Sequence, residues 1–263
     1  MYEFAYHRPA TVAEAVALIA DEDVLPLAGG QTLIPTLKQR LAMPAALVDL
    51  GGLAELRGLR RDGDALVIGA ATTHAEIAAS DLVRQTVPAL AALAQRIGDP
   101  QVRNRGTLGG SIANADPAAD YPAAVVGLGA SVHTDRRTID GDAVFIDLFT
   151  TALEPGELIT AVSVPVPRAA AYEKAAQPAS GYAVVGVLVA RTAAGVRVGV
   201  TGAGPCAFRA TALERALDAA FTPEAARAVT IPADGLNDDL HASAAYRAAL
   251  IPVLAARAVA ACG

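Results

Sequence analysis

Two short stretches of this chain carry residue types that can hold a phosphate. The first runs Leu27, Ala28, Gly29, Gly30, Gln31, Thr32, Leu33, Ile34, directly after an apolar strand pattern and before a helical one. The second lies in "RNRGTLGGSIANADPAAD", Arg103 to Asp120, and centres on Thr107, Gly109, Gly110 and Ser111. Glycine has no Cβ and accepts positive φ, so successive backbone N–H groups can converge on an anion, helped by a helix N-terminus. Thr107 and Ser111 add hydroxyls and Asn114 an amide, and Asp116 or Asp120 can accept hydrogen bonds from ribose hydroxyls. One glycine pair after a strand is most simply a turn. Two matched pairs from different parts of the chain suit a pyrophosphate held between them. Composition goes no further, and leaves FAD, NAD and other phosphates open.

Other chemistry finds less support. "GAGPCA", Gly202 to Ala207, matches G-x-G-x-x-A after a strand, but Pro205 interrupts it and no second buried strand with a terminal acid follows its helix. The dinucleotide fingerprint needs that context, so a loop at a lobe edge is the better reading. His7, His74, His133 and His241 are scattered without metal-ligand spacing. "GGSIA" lacks the second glycine of a nucleophile elbow. Cys206 and Cys262 form no CxxC pair and are too few for an iron–sulfur cluster.

The elements that must position the two loops can be read from pattern. "YEFAY" alternates as a half-buried strand, Thr11 and Glu14 fit a capping box, and "VLPLAGG", "TLIPTLKQRL" and "AALVDL" give strand, helix, strand. Residues 1–54 therefore form a β-α-β-α-β lobe. "LRGLRRDGDALVIGAATTH" is a hairpin, Thr73 and Glu76 make a second capping box, and "LVRQTVPALAALAQRI" reads as one amphipathic helix. After the second glycine loop come a short buried helix in "PAAVVGLGA" and strands in "ASVHTD" and "ELITAVSVPVP", which close a second lobe over residues 55–168. Residues 169–263 carry the long hairpin "YAVVGVLVARTAAGVRVGV", turning at Ala194-Gly195, and then helices around "TALERALDAA", "PEAARAV" and "SAAYRAALIPVLAARAVAA". The class is α+β with an α/β first lobe.

The chain has 263 residues, 53% of them hydrophobic, and a net charge of −6. That suffices for two or three packed lobes and predicts no nucleic-acid partner. The longest uninterrupted apolar runs are too short for a bilayer, and no basic start followed by an apolar segment marks a secretory signal. A reduced, cytoplasmic protein is expected.

With both loops in place the sequence resembles the FAD-binding subunit or domain of the molybdenum hydroxylases, the group of xanthine dehydrogenase, aldehyde oxidases and aerobic carbon monoxide dehydrogenase. Its likeness is to the separate medium-sized flavoprotein subunit, and it runs nearly end to end, through "LAGGQTLIPTLKQRLAMPAALVDL", "IGAATTHAEIA", "IGDPQVRNRGTLGGSIANADPAADYPAAVVGLGA", "TALEPGELITAVSVP" and "GYAVVGVLVA". The resemblance implies two lobes that sandwich FAD, followed by a C-terminal antiparallel sheet with helices. It implies the pyrophosphate on Leu27 to Ile34, further dinucleotide contacts from Thr107 to Ser111 and from Asp120, and a packing contact from Ile97. Ile159 and Lys174 fall at positions that also approach FAD, and Tyr182 matches a tyrosine near the isoalloxazine ring. For Tyr182 the plain alternative is an aromatic filling a lobe interface. For Lys174, one of two lysines in the chain, it is a solvated strand-edge charge rather than a cation that raises the flavin potential.

The implied function is electron transfer. Electrons would pass from [2Fe-2S] clusters on a small partner subunit through flavin to NAD, a quinone or oxygen, with molybdenum-pterin on a large partner, in a dimer of heterotrimers. The chain itself would hold no metal and no general acid or nucleophile. A self-sufficient FAD oxidoreductase and a flavin-free assembly protein of the same fold are the competing readings.

Overall fold

The computed structural model describes residues 1–262. The first sheet is parallel throughout, in the order β1 (Ala5–His7), β3 (Ala46–Asp49), β2 (Val24–Leu27). Its crossovers are the helices α1 (Val12–Leu18) and α2 (Leu33–Lys38). Thr11 caps α1 by accepting from the Glu14 amide, while the Glu14 carboxylate reaches the Ala10 amide, one residue short of the box read from sequence. β1 begins later than "YEFAY" suggests and its residues are exposed, so aromatic alternation there reflects an edge strand.

The second sheet is antiparallel, in the order β4 (Leu59–Asp62), β5 (Ala65–Gly69), β10 (Ile159–Pro165), β6 (Ser131–Thr134), β7 (Thr138–Asp140). Between β5 and β6 run α3 (His74–Ala79), α4 (Asp81–Thr86), α5 (Pro88–Gln95), α6 (Pro100–Arg103), α7 (Leu108–Asn114) and α8 (Tyr121–Leu128). The capping box of Thr73 and Glu76 opens α3 with both reciprocal bonds. The single helix expected over "LVRQTVPALAALAQRI" is two helices, because Val87 precedes a proline and takes φ −139°, outside the helical region. A short helix α9 (Gly141–Val144) and the small hairpin of β8 (Phe145–Asp147) and β9 (Thr150–Thr151) complete this part.

The third sheet is antiparallel in chain order: β11 (Ala169–Ala176), β12 (Ala183–Thr192), β13 (Gly195–Thr201), β14 (Phe208–Arg209). β11 is an element that the pattern reading passed over, since "AAAYEKAA" is alanine-rich and lacks β-branched residues. After the sheet come α10 (Thr211–Ala219), α11 (Pro223–Arg227) and α12 (Ala244–Ala261). α12 is, among the described residues, the one helix with the length and mean hydropathy (1.4) of a membrane span. It packs against β11 and β12, and Ile251, Leu254 and Ala255 are buried in that core, which explains its apolarity.

The sheet's other face meets α8, whose residues are all buried. Leu188 and Tyr172 of the third sheet belong to the same apolar cluster as Tyr121, Val125 and Leu128 of α8. The second and third sheets thus share a core across α8.

Candidate functional site

A cavity of about 550 Å³ lies where the first glycine loop, α7, the loop before β10 and the turn before β12 converge. One wall is the backbone of Ala28 to Leu33, between the end of β2 and the first turn of α2. Among the described residues, the amides of Gly29, Gly30, Gln31, Thr32 and Leu33 donate to no protein acceptor; the first bonded amide is that of Ile34, to the Gly30 carbonyl. Polar backbone groups left unpaired beside a cavity are the physical signature of an anion cradle. Gly30 sits at φ +73°, a conformation that disfavours any side chain. Leu27 and Ile34 do not line the cavity: a Cβ on Gly30 would lie 2.9 Å from Ile34 Cγ1 and 3.3 Å from Leu27 Cδ1, so these two residues support the turn from behind. Gly29 has a different reason to be glycine, since a Cβ there would collide with the Arg105 carbonyl on the approach to the second loop.

The second loop works differently from the amide cradle expected of it. Thr107, Gly109, Gly110 and Ser111 line the cavity, yet the amides of residues 108–111 are engaged within the protein. Leu108 donates to Thr72 O at 3.1 Å, Gly109 to Ala70 O at 2.8 Å, Gly110 to Thr107 Oγ1 at 3.2 Å and Ser111 to Thr107 O at 3.0 Å. The absence of a Cβ at Gly109 lets α7 lie against Ala70 at the end of β5, and a Cβ on Gly110 would press on Thr107 Oγ1 at 2.8 Å. This loop offers side chains, Ser111 and Asn114, where the first offers amides.

The far end of the cavity is carboxylate-rich. Asp116 and Asp120 line it, and burial pushes both carboxyls up. For Asp120 the Lys174 ammonium and the Tyr172 hydroxyl oppose that rise: Lys174 Nζ donates to Oδ2 at 3.0 Å and Tyr172 donates to Oδ1. Asp120 therefore has both oxygens engaged, while Asp116 uses Oδ1 for the Ala118 amide at 2.8 Å. Ile97 and Ile159 give an apolar wall. Tyr182, 48% exposed, stands at the cavity rather than inside a lobe interface. Partial burial and the carboxylates of Asp116 and Asp120 raise its hydroxyl above the ordinary value. Lys174 is neither a cavity residue nor a solvated charge; it is 8% exposed and sits behind Asp120.

Two wall residues carried no signal in the glycine and acid patterns. Glu157 contributes to the wall while Arg137 binds its carboxylate at 2.9 Å through each oxygen, which holds it down to about 2. His74 is buried, and that burial, with Arg103 nearby, lowers its imidazole to about 4, so it is neutral at pH 7. No Lys or Arg side chain lines the cavity among the described residues, so the donors available to an anion there are the amides of the first loop and neutral side chains such as Ser111 and Asn114. No cluster of metal-ligating side chains is present among those residues either.

Comparison with known proteins decides what this geometry belongs to. Residues 2–167 match the family described as the FAD binding domain in molybdopterin dehydrogenase. The chain belongs to that family. Along its whole length it is 36% identical over 274 residues to the carbon monoxide dehydrogenase medium chain of Hydrogenophaga pseudoflava, covering 97% of this chain and 96% of that one. It is also 36% identical to the nicotine 6-hydroxylase medium subunit of Paenarthrobacter nicotinovorans, covering 97% and 95%. A solved structure of the Hydrogenophaga carbon monoxide dehydrogenase superposes with a TM-score of 0.89 at 37% identity, covering 99% of this chain and 97% of that one. Quinoline 2-oxidoreductase from Pseudomonas putida 86 superposes with 0.89 at 28% identity, covering 99% and 97%.

The cofactor of this molybdopterin-dehydrogenase FAD-binding domain is FAD, and the chain is an oxidoreductase component. The cavity meets the requirements of such a cofactor: its volume falls within the roughly 300–1,000 Å³ usual for small-molecule sites, it has one wall of free amides, and the rest is largely apolar.

Proposed function

We propose that this chain is the FAD-bearing electron-transfer subunit of a heteromeric, cytoplasmic molybdenum hydroxylase. In this reading a small partner holds the [2Fe-2S] clusters, a large one holds molybdenum-pterin, and the assembly is a dimer of heterotrimers. Several similar proteins are described as medium chains or medium subunits of carbon monoxide dehydrogenases and of a nicotine 6-hydroxylase, which supports a multi-subunit setting. FAD held in the cavity would supply the redox chemistry between a cluster donor and an acceptor such as NAD, a quinone or oxygen. The protein's residues orient and insulate it.

The observation that carries this reading is the run of unpaired amides from Gly29 to Leu33, opposite Ser111 and Asn114. These amides would hold the pyrophosphate without a cationic side chain. Asp116, with Oδ2 free of protein donors, would accept from a ribose hydroxyl. Ile97 and Ile159 would pack on the isoalloxazine and exclude water, and Tyr182 would cover its exposed face. Asp120, which holds one donor on each oxygen and keeps a further acceptor site on each, would offer a ribose hydroxyl a carboxylate fixed from behind by Lys174 and Tyr172.

The test is to purify the chain alone and after co-expression with its genomic neighbours, and to record the visible spectrum and the released cofactor. Stoichiometric FAD in either sample is the expected result. Absence of flavin from both would overturn the reading.

A further inference from the structure

The Lys174 ammonium has three N–H donors, and each has a protein acceptor on a different segment of the cavity wall. It donates to Asp120 Oδ2 at 3.0 Å, to the Arg96 carbonyl at 3.1 Å and to the Gly181 carbonyl at 2.9 Å. A lysine present only to neutralise Asp120 would leave two donors for water or chance partners. Here the two extra acceptors immediately precede cavity residues, Ile97 after Arg96 and Tyr182 after Gly181. The Arg96 side chain returns the contact, donating to the carbonyls of Tyr172 and Lys174 at 3.2 Å each, which locks the end of α5 onto β11. The turn carrying Tyr182 is otherwise lightly held. It closes on itself through Gly181 N to Gln177 O and Gln177 N to Tyr182 O, both 2.8 Å, and nothing lies within 4 Å of a Cβ built on Gly181, whose φ is +76°.

We propose that Lys174 is a positioning residue that fixes the spacing between Ile97 and Tyr182 across the cavity. It would set the width of the slot for a planar ring without touching the ligand; that last consequence rests on FAD being the occupant. Asp120 anchors the ammonium, and Gly181 gives the turn the backbone conformation that aims its carbonyl at Nζ.

Lys174→Met alone would leave a buried carboxylate uncompensated and is a poor test. The double variant Asp120→Asn/Lys174→Met removes both charges together, and Tyr172→Phe is the control, which withdraws a donor from Asp120 but keeps both charges and the lysine. Amide hydrogen exchange on the full ligand-free chain reads the turn directly. In the double variant, exchange over residues 177–182 should accelerate about 10-fold or more while β12 and β13 stay within about 2-fold of wild type. Tyr172→Phe should leave the turn close to wild type, because all three Lys174 bonds persist. With FAD added, the double variant should show weaker binding, about 10-fold, and brighter flavin emission as Tyr182 moves away. Wild-type exchange in the double variant, or a full effect from Tyr172→Phe alone, would overturn the proposal. Failure of the wild-type chain to take up FAD would instead count against the functional reading, and the ligand-free exchange result would still decide the role of Lys174.

Discussion

At Gly30 a single backbone dihedral decides whether the amides of the first loop face the cavity. Valine there would be forced to φ +73° with its Cβ 2.9 Å from Ile34, and the conformation alone costs about 1–2 kcal/mol. Gly30→Val should purify with a flavin-to-protein ratio near zero and a lowered thermal midpoint, checked by absorbance and calorimetry. His74 makes a prediction about pH. Its folded-state value of about 4 lies below the ordinary 6.5, so as pH falls the unfolded chain takes the proton first. Stability is therefore full above pH 6.5, declines between 6.5 and 4 by about 3 kcal/mol, and loses nothing further from this group below 4. Urea denaturation at pH 7 and 4.5 should show a smaller decline in His74→Gln than in wild type. An equal decline would exclude His74 as its source. Residue type alone singled out the two glycine pairs, and both line the same cavity. The burial of His74, the Arg137 clasp on Glu157 and the withdrawal of Lys174 from the cavity were not legible in that way, because burial is set by neighbours distant in sequence.

The elements around the site were legible where a local rule governs them. Thr73 and Glu76 form the capping box their spacing predicts, and strands β2, β3, β5, β6 and β10 lie within the runs that pattern assigned to them. The break between α4 and α5 follows from a local rule too, the restriction on Val87 before Pro88, that the apolar periodicity obscured. α7 joins element to function. Its N-cap, Thr107, accepts from the Gly110 amide. Thr107→Ala should cost about 1 kcal/mol of stability and free that amide toward the cavity. FAD affinity should then fall far less than in Gly30→Val, since the Thr107 hydroxyl is committed to the Gly110 amide whereas Gly30→Val disrupts the amide cradle itself. Paired FAD titrations of the two variants check this, and an equal loss would mean that the Thr107 hydroxyl itself helps to hold the cofactor.

Across the whole molecule the C-terminal sheet takes part in building the site. Thr201 Oγ1 lies 2.8 Å from Pro117 O and 2.7 Å from Ala119 O, and the Gly202 amide donates to Pro117 O at 2.7 Å. These bonds pin the segment that carries Asp116 and Asp120. Gly127 on α8 and Gly199 on β13 meet backbone to backbone: a Cβ on Gly127 would lie 3.0 Å from Gly199 N, and one on Gly199 would collide with Ala123 O. Gly199→Val should therefore destabilise by about 3 kcal/mol or more. It should also split the urea transition, as the third sheet separates from α8. A single transition of unchanged midpoint would mean the two sheets do not depend on this contact. What the sequence alone determined is what local covalent geometry and periodicity govern: a β-α-β-α-β first lobe, a glycine turn after a strand, a second glycine pair before Ser111, the Thr73–Glu76 capping box, and the family that the chain resembles. Which amides remain unpaired, which carboxylate is neutralised from behind, and how a sheet from the last third of the chain closes the cavity were decided only in the tertiary structure. Those outcomes depend on hydrogen-bond competition and close packing between segments that only the fold brings together.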